Sequence, residues 1–272
     1  MGFASTYFNG RPATVEDLAP LAFAGFAHFT AMQVRGRAVR GLDLHLERLR
    51  LASDELFGGH PADERVRESL SAALRDAPED VSLTCYLTSR PGEFMRADGS
   101  VAIDVLVRVG DPATPPAGPL ALDVVAHERY LPHIKHVGEV AKTRLLRRAN
   151  ARGFDDAVFT DGQGNLSEAT IWNLAFWDGR SVIWPQAPML PGVTMRIVRR
   201  QLDALGVDQV TRALRVTDIS RDLQGVVLNS WTPGIAVSRI GEQRLGDAGE
   251  FVALLHEAYE SEPAVPISHL PR

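Results

Sequence analysis

Apolar positions recur along the chain in two rhythms, and each change of rhythm predicts where strands give way to helices. At 31–39, 81–87 and 101–109 apolar side chains alternate or run together as they do in strands, the first with its turn. Leu42, Leu46, Leu49 and Leu56 instead fall on one helical face. Asp43 is placed to cap that helix and Gly58-Gly59 to stop it after Phe57. A second helix is predicted over 62–75. Further on, a strand at 120–125 precedes a helix over 139–152 that ends at Gly153. A meander follows at 157–160, 166–177 and 181–184, with turns at Asp161-Gly-Gln-Gly-Asn165 and Asp178-Gly179. A helix begins at Gly192 and runs to about Leu205, and strands at 226–228 and 235–240 complete the set.

The segment Gly110-Asp-Pro-Ala-Thr-Pro-Pro-Ala-Gly-Pro119 has four prolines and two glycines, so it is neither helix nor central strand. It divides the chain into a small N-terminal α/β domain (1–110), a linker (111–119) and a larger C-terminal domain (120–272). The expected class is α+β. Two mixed parts joined by a loop frame a ligand site between them.

Composition narrows the function. With 272 residues, 45% of them hydrophobic, the chain can bury a sizeable core. A net charge of −5 without a basic arm argues against nucleic acid as a partner. The N-terminus lacks the charged and apolar regions of a secretion signal, and the apolar run at 18–29 is too short to cross a membrane. The expected setting is cytoplasmic. One cysteine, Cys85, rules out an internal disulfide and is expected as a buried small hydrophobe. The histidines are too scattered for a metal site, and no metal is expected.

Of 29 basic residues only two are lysines, Lys135 and Lys142. Arginine serves for surface charge but not for amine chemistry, so these two positions stand out. Lys135 follows a proline-stiffened segment between His133 and His136, although a surface lysine is the ordinary alternative. Glu168 sits among apolar strand residues and, if buried, needs a partner; a protonated pyridine nitrogen is one, bulk water at a strand end the other. Pro191-Gly-Val-Thr-Met195 opens a helix where Gly192 admits close approach and the amides of Val193 and Thr194 can hold phosphate; plain capping is the alternative. Arg48 can grip phosphate with its fork or simply pair with Glu47 or Asp43. Ser230 offers a hydroxyl after a buried strand, or shapes a turn.

Taken in order, His45-x-x-Arg48-Leu49, Lys135, Gly153, Leu-Ser-Glu168, Asn173 and Leu190-Pro-Gly-Val-Thr194 resemble the fold type IV, or class IV, aminotransferase family. That family includes branched-chain and D-amino-acid aminotransferases and aminodeoxychorismate lyase. The resemblance spans about residues 28–245. The 33 residues from Lys135 to Glu168 suit the family, and the 26 from Lys142 do not. It implies pyridoxal 5′-phosphate as cofactor, in a two-domain fold whose larger domain has a barrel-like sheet, and a homodimer. It further implies Lys135 as Schiff-base lysine and proton shuttle, Glu168 on the pyridine nitrogen, and Arg48, Val193, Thr194 and Ser230 on the phosphate. The reaction would be ping-pong transfer between an amino donor and a 2-oxo acid, with a lyase as alternative. His28, Thr30 and Arg90, more loosely Gln33 and Arg96, are candidates for substrate contact. The substrate half matches no branch of the family: after Leu87-Thr-Ser-Arg90 the Arg-x-His pair of the D-amino-acid branch is lacking, and Gly138-Glu-Val stands where branched-chain enzymes have Gly-Asn-Tyr.

Overall fold

The computed structural model describes residues 2–23, 25–90, 94 and 101–267, without the Arg90 side chain. The chain forms two compact units interleaved in sequence. The first comprises Met1–Thr114, Ile134–Gly138 and Ala264–Arg272, and the second Pro115–His133 and Glu139–Pro263.

The first unit contains β1 (Ala4–Phe8), β2 (Arg11–Pro12), α1 (Val15–Phe23), β3 (Ala27–Val34), β4 (Ala38–Arg40), α2 (Leu42–Phe57), α3 (Asp63–Leu74), β5 (Val81–Arg90) and β6 (Ala102–Gly110). Its antiparallel sheet has the order β2-β1-β6-β5-β3. Leu42, Leu46 and Leu49 of α2 and Val66 and Leu70 of α3 form one core with Leu83, Cys85, Leu87, Val105 and Val107 of the sheet. The strand with its turn expected over 31–39 is the end of β3, a turn in which Gly36 and Arg37 take positive φ, and the start of β4. Asp43 lies in the first turn of α2, while Gly41 takes the N-cap in the left-handed conformation; Gly58 closes the other end in the same conformation.

The second unit contains β7 (Leu120–Ala126), α4 (Val140–Ala151), β8 (Asp156–Thr160), β9 (Leu166–Ala169), β10 (Asn173–Trp177), β11 (Val182–Pro185), α5 (Val193–Ala204), β12 (Gln209–Arg212), β13 (Gln224–Asn229), β14 (Thr232–Ile240), β15 (Gln243–Arg244) and α6 (Gly249–Ser261). Its sheet runs β12-β11-β10-β13-β14-β7-β8-β9, and β9 pairs back onto β10 at Glu168↔Asn173. Six strands, β10-β13-β14-β7-β8-β9, thereby close a barrel. One apolar cluster joins Leu122, Val158, Leu166, Leu174, Phe176, Val227 and Val237. Another packs α5 and α6 on the sheet through Val198, Leu202, Leu255 and Trp184. The final strand, β16 (Ala264–Pro266), returns to the first unit and pairs with β4.

Candidate active site

The run expected as one strand over 166–177 is broken at Thr170-Ile171-Trp172, and the break builds the site. Asp156 helps to hold it. Its buried carboxylate accepts hydrogen bonds from the Thr170 hydroxyl (2.6 Å), the Trp172 indole N–H (2.9 Å) and the Ala157 amide (2.6 Å). Burial still holds this carboxyl above its ordinary pKa, with those hydrogen bonds opposing. Glu168, before the break, and Asn173, after it, sit opposite each other; Asn173 also pairs with Leu228, two residues before Ser230. The half-buried Ser230 turn is tied to the break, where the Asn229 amide group donates to the Ile171 carbonyl at 3.3 Å.

The approach to α5 is fastened to the same two strands. Asn173 donates to the Leu190 carbonyl (2.7 Å), and the Leu190 amide donates to Glu168 (3.3 Å). A side chain on Gly192 would place its Cβ 2.0 Å from Asn173 Oδ1. Asn173 thus stands where a side chain at position 192 would point, and packing against it calls for glycine there. Val193 and Thr194 follow as buried first-turn residues. Their amides have no partner within the helix, and no acidic residue crowds that turn.

Glu168 is 4% exposed. Arg129 lies 3.4 Å from its Oε1 and the Lys142 amine 3.6 Å. Arg129 also binds Glu139 and donates to the Pro132 carbonyl at 2.6 Å. Burial lowers the pKa of Lys142, with Glu168 opposing. Sequence reasoning missed Arg129, Glu139 and Asp156 and set Lys142 aside on spacing. The scarcity of lysine was the one signal for Lys142, and it applied equally to both lysines.

Lys135 belongs to the first unit. Its carbonyl accepts from the Phe29 amide (2.8 Å), and the Val137 amide donates to the Ala27 carbonyl (3.1 Å), so residues 134–138 line the edge of β3. The Lys135 amine sits 4.9 Å above the Phe29 ring, which stacks on Tyr86. Arg48 lies half-buried on α2, one turn after His45. His28 and Thr30 are fully buried: His28 Nε2 lies 2.8 Å from the Ser53 hydroxyl, and the Thr30 hydroxyl 2.6 Å from His45 Nδ1. Burial depresses the pKa of both histidines to about 3. Gln33 accepts hydrogen bonds from Arg35, Ser82 and the Ala113 amide. The Arg90 side chain and Arg96 lie outside the described residues.

The second unit thus carries a closed six-stranded barrel in which the buried Glu168 carboxylate accepts from the loop that leads into α5. The chain belongs to the class IV amino-transferase family, whose pattern it matches over residues 27–240. It is similar to the branched-chain amino acid aminotransferase of Thermobaculum terrenum, solved in its pyridoxal phosphate form (TM-score 0.79, 15% identity, 94% of this chain and 92% of that one). A protein from Legionella pneumophila described as "Putative 4-amino-4-deoxychorismate lyase" superposes with TM-score 0.77 at 18% identity, over 89% and 93% of the two chains. A hypothetical aminotransferase from Mycobacterium tuberculosis, solved with pyridoxal phosphate bound, gives 0.77 at 20% identity, over 95% and 98%. No curated protein matches the sequence. Among the described residues, no three His, Cys, Asp or Glu side chains are grouped to hold a metal, and no helix is long and apolar enough to cross a membrane.

Proposed function

We propose that the protein is a pyridoxal phosphate-dependent aminotransferase moving an amino group between an amino acid or amine and a 2-oxo acid. The observation that carries this reading is Glu168: a buried carboxylate, backed by the Leu190 amide, at the mouth of α5. The donor set fits the cofactor. An ionised carboxylate suits a protonated ring nitrogen, and uncrowded first-turn amides suit a phosphate. Pyridoxal phosphate supplies an electron sink that acidifies the Cα–H of an amine bound to it.

The chain's own residues do the rest. Lys135 would hold the cofactor through its amine, and the same amine would move the proton at the substrate Cα. Glu168 keeps the ring nitrogen protonated. The Val193 and Thr194 amides, the Thr194 hydroxyl, Arg48 and Ser230 hold the phosphate. The larger C-terminal part, 120–272, is the main cofactor-binding domain, and the enzyme works as a cytoplasmic homodimer. Likeness to the Legionella protein favours one other reading, a lyase on the same scaffold.

The test is to load the purified protein with pyridoxal phosphate, record its absorption, and reduce it with borohydride before peptide mapping. A yellow band, with the pyridoxyl group mapped to Lys135 and not Lys142, is expected. Lys135→Ala should lose the band. Addition of a donor alone should convert it to the pyridoxamine form; release of pyruvate and an aromatic amine would instead establish the lyase. A protein that never binds the cofactor would overturn both.

A further inference from the structure

The second unit holds a group of four charges that the proposed roles do not use fully. Glu139 and Glu168 supply two negative charges, Arg129 and Lys142 two positive ones. Their side chains are 23%, 5%, 3% and 13% exposed, so solvent screens them little. Arg129 is committed to Glu139 and to the Pro132 carbonyl, and a guanidinium does not give up its proton. Lys142 differs: its amine is lowered by burial, and the charged groups facing it are Glu168, Arg129 and Glu139.

A protonated pyridine nitrogen arriving at Glu168 would make three cations against two anions in this poorly screened place. Removing one charge relieves that cost, and of the two cations only the Lys142 amine can give up its proton, because a guanidinium stays protonated. We propose that Lys142 is a positioning residue for Glu168: it holds the carboxylate ionised before the cofactor arrives, then gives its proton to solvent as the ring nitrogen takes its place. The N–H bond of the ammonium breaks, the electron pair stays on nitrogen, and water accepts the proton. This rests on the reading of Glu168 as partner of the ring nitrogen.

Calorimetric loading of the full-length protein with pyridoxal phosphate, in buffers of different ionisation enthalpy, counts the protons released per site. Lys142→Met and, should it fold poorly, Lys142→Gln are expected to release up to one proton fewer than the wild type. Lys142→Arg keeps its charge, so it should also release fewer and should bind the cofactor about tenfold or more weakly than Lys142→Met. A merely structural lysine predicts the reverse ranking, with arginine the better substitute. Equal proton counts in wild type and variants, with the pyridoxyl group still on Lys135, would overturn the inference alone. Failure of the wild type to bind the cofactor would overturn the functional reading beneath it.

Discussion

A single missing side chain or proton decides much at the scale of the residue. Gly192 is required because Asn173 Oδ1 occupies the place of its Cβ. Gly192→Ala should therefore push Asn173 off the Leu190 carbonyl and cost about 1–3 kcal/mol, measured as a lower denaturant midpoint together with weaker cofactor binding. The buried histidines make a separate prediction. His45 and His28 stay neutral down to about pH 3 when folded, against 6.5 as the ordinary value. The unfolded chain binds their protons first, so their contribution is intact above that ordinary value and is lost as pH falls toward about 3. Each steepens the decline by up to about 1.4 kcal/mol per pH unit. His45→Asn should remove about one proton from the slope of unfolding free energy against pH, measured by denaturant titrations between about pH 6 and about pH 4.

At the scale of the element, periodicity and punctuation made α2, α3, α5, β5 and β6 legible, because their apolar faces and flanking glycines are local signals. The break between β9 and β10 was not legible. Thr170-Ile171-Trp172 continues an apolar strand pattern, and the bonds that hold it as a turn come in part from Asp156, on another strand, which accepts from Thr170 and Trp172. The site followed the same division. Glu168, Thr194 and Gly192 could be picked out by residue type and order, whereas the cluster of Arg129, Glu139 and Lys142 depends on tertiary contacts with Glu168 of β9. Asp156→Ala should leave the Trp172 indole and the Thr170 hydroxyl buried without an acceptor, at about 1–3 kcal/mol for each group. Thermal unfolding would register that loss, and a parallel loss of cofactor affinity would show that the break positions Glu168. An unchanged melting temperature would mean that the break holds without Asp156.

At the scale of the whole molecule, the proline-rich segment looked like a simple divider, yet the first unit recruits residues from both sides of it. Residues 134–138 pair with β3, and β16 pairs with β4. Cutting the chain after residue 114 would leave the outer edge of β3 without those backbone partners, an exposure that sheets avoid. The first unit should thus depend on a segment that reaches it only through the chain of the second, and the two should unfold together. The chain carries its own probes for this. All four tryptophans, Trp172, Trp177, Trp184 and Trp231, lie in the second unit, and the one cysteine, Cys85, lies fully buried in β5 of the first. Burial pushes that thiol up to about 12, so it should resist thiol reagents until its sheet opens. Tryptophan fluorescence and Cys85 labelling followed across one denaturant series should give coincident midpoints. Labelling that runs ahead of the fluorescence change would mean that the first unit opens by itself, and that the loan of residues 134–138 and 264–267 does not couple the two.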